Sequence, residues 1–208
     1  MARDAYLDPY RQSVQRHGPQ FEATLWASPR AQRLRFKVFT ELCFMTGKRI
    51  LDAGCSRGDF AQFLIERNIA FDQYIGVDGV REVIDHALAQ NLPRCTFVCG
   101  DFLREPQLLA TGDPQIICLS GTLNTMTDRQ VFALLHAAWS AASQALLFNF
   151  LPDTAGPRAA RQTRPARRLD TIRILRWAFE QTSQVLYRQD YFKHGHDATV
   201  MMRKTVQR

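Results

Sequence analysis

The run R-I-L-D-A-G-C-S-R-G-D-F, Arg49 to Phe60, constrains the fold of this chain more than any other stretch. Two apolar residues, Ile50 and Leu51, end in an acid, Asp52. A turn-forming segment with Gly54, Ser56 and Gly58 follows, and then an apolar helical pattern begins. A buried strand of this kind delivers its loop to the edge of a sheet, where small residues let a ligand lie against backbone. The dinucleotide pattern G-x-G-x-x-G fits poorly, because it requires glycine at Ser56 and at Asp59. A carboxylate two residues before the first glycine also repels a pyrophosphate and favours a cationic ligand. Serine in the middle of the run is expected to resist a left-handed backbone there.

Further strand ends follow in order. Tyr74-Ile75-Gly76-Val77-Asp78 is a short apolar run closed by an acid, spaced along a βαβ unit so that the carboxylate can accept ribose hydroxyls. Cys95 to Phe102 is a third strand, again ending in an acid, Asp101. Gln115 to Leu119 is a fourth, leading into Ser120-Gly121-Thr122-Leu123-Asn124, and Ala145 to Phe150 is a fifth. Helical spacing predicts helices over Pro9–His17 and Pro29–Met45, a helix presenting Phe60, Phe63 and Leu64, and one with Val80, Val83, Ile84, Ala87 and Leu88 on a single stripe. Thr127 with Gln130 is a capping box, and Asp170 is an N-cap for a helix through Ile172, Leu175 and Phe179. Gln184–Tyr191 and Asp197–Arg203, joined through Gly195, read as a closing antiparallel hairpin.

Asp52-Ala53-Gly54-Cys55-Ser56-Arg57-Gly58 resembles the first motif, D-x-G-x-G-x-G, of class I S-adenosylmethionine (SAM)-dependent methyltransferases, with serine at the middle glycine. The later strand ends extend the resemblance over roughly residues 30–203, towards a bacterial small-molecule-type subgroup. It implies an α/β fold: a Rossmann-like, doubly wound seven-stranded sheet of order 3-2-1-4-5-7-6, the last strand antiparallel, with an N-terminal helical cap. Residues 1–46 would cover the cofactor edge, and 47–208 would form the SAM-binding domain with an arginine-rich loop at 152–170. The cofactor set implied is Asp52, Gly54, Ser56, Gly58, Asp78, Gly79, Asp101, Phe102, Ser120 and Gly121. In the family the acid at the place of Asp101 meets the adenine amino group, and the residue at Phe102 packs on the ring. Arg35, on the helix before the first strand, is implied to pair with the methionine carboxylate; a solvated helix surface is the alternative. Tyr6 and Tyr10 either close the acceptor pocket or pack as ordinary aromatics.

The chemistry the resemblance implies is in-line displacement at a sulfonium methyl, in which the protein aligns the acceptor and excludes water. Leu119-Ser120-Gly121-Thr122 stands where amino-methylating nucleic-acid enzymes carry [DNS]-P-P-[YFW] and where catechol-type enzymes carry an acid. The Pro-Cys pair of cytosine-5 enzymes is missing as well. A small-molecule acceptor is therefore the reading, with an acidic one as the option that the arginine-rich loop raises. RNA methylation is the alternative, since the net charge of +7, the sequence pI of about 9.5 and the basic flanks suit phosphate contacts. A non-catalytic SAM-binding protein and a nicotinamide oxidoreductase are further options. Arg158, Arg161, Arg164, Arg167 and Arg168 form either a solvated loop or a lid that captures an acidic acceptor. His194 and His196 are turn residues, a general base or a metal pair; no further ligand cluster accompanies them, so no metal is assigned. Asn124 either orients an acceptor or satisfies loop backbone.

Composition fits one catalytic domain of 208 residues, with 46% apolar and 23% charged side chains. No apolar run reaches the roughly 18–20 residues of a membrane helix. Asp4, Asp8 and Arg11 stand where an export signal would carry its apolar core. Five cysteines without C-x-x-C spacing predict buried thiols and a cytoplasmic setting. Oligomeric state leaves no mark in the sequence.

Overall fold

The computed structural model describes residues 5–205; Asp4 and the outermost ends of the two expected segments lie outside the described residues. One sheet holds β1 (Arg49–Ala53), β2 (Gln73–Asp78), β3 (Cys95–Cys99), β4 (Ile116–Leu119), β5 (Ala145–Phe150), β6 (Val185–Arg188) and β7 (Ala198–Arg203). Their order is β3-β2-β1-β4-β5-β7-β6. The first five strands pair in parallel, while β7 runs antiparallel to both β5 and β6. Order and reversal both agree with the sequence expectation. Strands β4 and β5 are buried at every position, as parallel strands covered on both faces must be.

Alternation along the strands splits the core into two layers. Leu51, Val77, Ile117, Leu146 and Phe148 face α5 (Asp128–Ala141) and α6 (Thr171–Gln181), meeting Leu134, Leu135 and Trp177. Ile50, Tyr74, Cys118 and Leu147 face the other way, towards Phe39 of α2 (Pro29–Leu42), Phe60 and Phe63 of α3 (Asp59–Glu66), and Ile84 of α4 (Arg81–Ala89). Among the described residues no helix is long and apolar enough to cross a membrane.

Local chemistry sets the boundaries. Thr127 and Gln130 form the reciprocal capping box at the start of α5, and Asp170 accepts from the Arg173 amide at 2.8 Å to open α6. Helix α2 stops at Leu42 rather than Met45, because Cys43 turns extended and both Cys43 and Met45 are buried on the descent to β1. Leu88, expected on the buried stripe of α4, is 48% exposed; Ile84 and Ala87 pack on the sheet, while Val83 is buried against the N-terminal segment. Helix α6 buries Ile174, Trp177 and Ala178 and leaves Ile172 and Phe179 each 59% exposed. Strand β6 ends at Arg188 rather than Tyr191, whose hydroxyl turns back to donate to Asp197 at 2.5 Å.

The C-terminal ends of β1 to β5 share one edge of the sheet, and β6, parallel to β5, ends there too. Helix α1 (Asp8–His17) and the short turns around it lie along this edge, packing Val14 and Ala23 against Val80 and Val83.

Candidate active site

The loop after β1 is fastened to the ends of two neighbouring strands. Gly54 has φ +87°, and a Cβ there would sit 2.5 Å from Oγ1 of Thr122, which itself donates to the Ala53 carbonyl at 2.7 Å. Ser56 does adopt a left-handed backbone, φ +47°, against the expectation that serine would resist it. The cost of that conformation is about 1–2 kcal/mol. A hydrogen bond from the Ser56 amide to Oδ2 of Asp78 (2.9 Å), worth roughly 1.5–3 kcal/mol when the acceptor is charged, offsets it. Oδ1 of Asp78 accepts from the Val80 amide at 3.0 Å. Burial lifts the Asp78 pKa to about 6 despite these backbone donors.

Beyond β4 the loop is held from β5. The fully buried Asn149 accepts from the Gly121 amide at 2.7 Å and donates to Oγ of Ser120 at 3.2 Å. Gly121, at φ +74°, lies so close beneath Trp26 that a Cβ would stand 2.5 Å from the indole. Together these loops line a cavity that opens to solvent. Of the expected cofactor residues, Gly54, Ser56, Asp78, Gly79, Phe102, Ser120 and Gly121 line it; Tyr6, Leu7, Tyr10 and Trp26 close it from the N-terminal side.

Four members of the expected set do not line it. Gly58 starts α3 with φ +79°, packed on Phe97. Asp101 accepts from the Tyr6 hydroxyl at 2.6 Å and from the Leu103 amide at 2.9 Å, both through Oδ1. Its Oδ2 is buried without a hydrogen-bond partner, the Arg104 guanidinium standing 3.7 Å away. Arg35 belongs to a buried ion pair: it meets Asp197 at 2.6 Å, the two side chains 6% and 1% exposed, and is sandwiched between the rings of Trp26 and Phe192 at 4.3 and 4.4 Å. It positions Trp26 over the cavity instead of reaching into it.

Asp52 departs furthest from expectation. It lies beneath the loop on the α3 side of the sheet, where the Tyr74 hydroxyl donates to its Oδ2 at 2.5 Å and its Oδ1 has no hydrogen-bond partner. Burial raises its pKa from the ordinary 3.8 to about 7, so near neutrality it is only partly charged and carries little of the attraction the sequence assigned to it. Because the folded pKa exceeds the unfolded one, this group stabilises the fold fully below about pH 4, and the contribution is lost as pH rises through 7. One proton corresponds to a slope of about 1.4 kcal/mol per pH unit. Urea unfolding of Asp52→Asn should therefore decline with pH less steeply than wild type by close to one proton between pH 5 and 7. Equal slopes would show that Asp52 is ionised throughout.

A second cavity, also open to solvent, adjoins the first and shares Tyr10, Thr24, Trp26 and Gly121 with it. Its outer wall is the arginine-rich loop, residues 162–166, and Asn124 and Thr125 form its floor. Asn124 faces this space while its Oδ1 accepts from the Leu151 amide at 3.2 Å. The loop is pinned: the Arg167 amide donates to the Asn124 carbonyl and the Leu169 amide to that of Leu151. Arg167 also binds the Met126 carbonyl at 2.6 Å and pairs with Asp128, and Arg168 binds the Pro152, Ala160 and His196 carbonyls. These two arginines brace the loop. Arg158 and Arg161 are exposed and line neither cavity; Arg164 lines the second. His194 is exposed, and His196 sits 3.3 Å from Arg168, its pKa lowered by burial and by that guanidinium. Neither histidine is among the residues that line these two cavities. Among the described residues no three metal-ligating side chains gather.

Three contributors were not assigned from sequence. Leu7, Asp197 and Tyr74 have partners far along the chain and belong to no motif. The aromatic Tyr6 and Tyr10 were noticed but left between two roles; they both wall the cavity.

Residues 50–144 match the family model described as a methyltransferase domain. No curated protein matches the chain in sequence. Among solved structures, the chain is similar to phosphoethanolamine N-methyltransferase 1 of Haemonchus contortus in complex with phosphoethanolamine and S-adenosylhomocysteine (SAH), with TM-score 0.70 and 12% identity. That likeness covers 98% of this chain but 50% of the nematode enzyme, so the chain spans about half its length. Magnesium protoporphyrin IX methyltransferase of Synechocystis with bound SAH gives TM-score 0.62 and 15% identity, over 84% of this chain and 83% of that one. An O-methyltransferase family protein of Burkholderia thailandensis gives 0.71 and 16%, over 95% and 62%. At such identities these likenesses speak for the fold. Over residues 50–144 the chain is thus similar to a methyltransferase domain, and it has the seven-stranded fold of these solved methyltransferase structures.

Proposed function

We propose that this protein binds SAM in the first cavity and methylates a small acceptor held in the second. The observation that carries the reading is the convergence of Asp78, the left-handed glycine turns at Gly54 and Gly121, and Phe102 around one space at the carboxyl edge of the parallel strands. The residues suit the cofactor. Asp78 offers lone pairs to ribose hydroxyls and Phe102 an apolar face to a base, while Oδ2 of Asp101, outside the lining and ion-paired with Arg104, has no hydrogen-bond partner. When bound, SAM supplies a methyl group already activated by a sulfonium. The chain's own part is to hold that methyl against the acceptor and keep water out, a proximity effect capable of lowering the barrier by about 7–11 kcal/mol.

Two neighbours of the same fold are complexes with SAH, which supports the cofactor. Calorimetry tests it directly: SAH should bind wild-type protein at a single site and resist competition by NAD. Failure of SAH to bind, or displacement by NAD, would overturn the reading. Binding without turnover on any acceptor would favour a non-catalytic SAM-binding protein.

A further inference from the structure

We infer that the second cavity takes a small oxyacid, a carboxylate or phosphonate, held by Arg164 and methylated on an ionised oxygen. The inference rests on the cofactor assignment above and adds the acceptor's chemical class. Arg164 is the one charged side chain lining the second cavity, and it has no hydrogen-bond or ion-pair partner among the described residues. Arg167 and Arg168, by contrast, are fully committed to carbonyls and Asp128, which fixes the loop that presents Arg164. No carboxylate faces the space, so a cationic acceptor has nothing to pair with, whereas a guanidinium is the side chain best shaped for an oxyanion. Trp26 and Tyr10 offer flat apolar surface beside it, which suits an acid carried on a planar group.

The second support is the absence of a base. Among the described residues, the titratable groups lining either cavity are Tyr6, Tyr10, Asp78 and Arg164. Burial drives both phenols upward, Tyr10 to about 12, so neither is a phenolate near neutrality. Asp78 is occupied by the Ser56 and Val80 amides on the cofactor side. An amine or alcohol would have to lose a proton for which no recipient is in place. An ionised oxygen loses none: it attacks the methyl carbon, the O–C bond forms as the C–S bond breaks, and the electron pair of that bond returns to sulfur. The sulfonium charge is lost together with one negative charge of the acceptor, leaving a thioether and a methyl ester that is neutral from a carboxylate and carries one charge fewer from a phosphonate.

The test has a binding arm and a turnover arm, both on the full chain. Benzoate and phenylphosphonate are titrated into SAH-loaded protein by calorimetry, then offered with radiolabelled SAM beside benzyl alcohol, benzamide and benzylamine. At least one acid should bind and form a methyl ester, with a rate level from pH 7 to 9. Arg164→Ala should weaken acid binding and lower kcat/KM about 10-fold or more, Arg164→Lys should recover part of it, and SAH affinity should change less than about twofold, since one charge-assisted contact is worth about 1.5–3 kcal/mol. Turnover of the alcohol or amine in place of the acids, no acid bound or methylated by protein that binds SAH, or an unchanged Arg164→Ala would each overturn the inference. Failure to bind SAH at all would instead sink the cofactor assignment.

Discussion

Replacing Asp197 with alanine is expected to destabilise the fold by about 3–5 kcal/mol, because it leaves the Arg35 guanidinium buried without its counter-charge. For a chain of this size that corresponds to a fall in Tm of about 10 °C or more. The carboxylate also accepts from the Tyr191 hydroxyl, so the substitution strands a second buried donor. Burial raises the Asp197 pKa while Arg35 opposes the rise. Removing both charges separates the pair from the packing. Arg35→Met with Asp197→Leu should recover much of the stability, since apolar replacements of buried pairs often cost little. Thermal unfolding of the two single variants and the double variant measures the coupling. A loss below about 1 kcal/mol in Asp197→Ala would mean that the pair is solvated.

The second large effect concerns ligand affinity. Asp78→Ala should reduce SAH binding by about 100-fold or more, the equivalent of two charged hydrogen bonds at about 1.5–3 kcal/mol each. It also frees the Ser56 and Val80 amides, so the loop after β1 loses its tether to β2. The fold should lose about 1.5–3 kcal/mol as well, because the bond that offsets the left-handed backbone of Ser56 goes with the carboxylate. Calorimetry on the variant, with circular dichroism to confirm folding, gives the answer. Affinity within threefold of wild type would place the ribose elsewhere.

Much of the architecture was legible because strand ends are local. An apolar run, an acid and a small-residue turn recur in order, and the capping box at Thr127 and the N-cap at Asp170 announce their helices within a few residues. The seven expected cofactor positions that the structure brings to one cavity were legible as candidates for the same reason, each lying at or next to a strand end. Asp52 was misjudged because a strand buried on both faces gives no polarity signal to say which way an acid points. Alternation sends Asp52 to the same side as Ile50, where Tyr74 waits across the strand pair. Arg35 and Asp197 are far apart in the chain, and neither belongs to a motif, so nothing local could have joined them. The roles of Arg167 and Arg168 were hidden in another way. A run of arginines looks solvated until the carbonyls it ties together are brought near by the fold.

Strand β7 lies between β5 and β6, and β6 has no other partner in the sheet. The hairpin must therefore commit as a unit, wedging its second arm into place before its first has anywhere to stay. Since Asp197 sits at the root of that arm and fastens Arg35, whose stacking fixes Trp26, the roof over both cavities is secured from β7. A nascent or nicked chain lacking that strand would keep its glycine turns yet have no finished chamber, which makes ligand capture a readout of complete assembly.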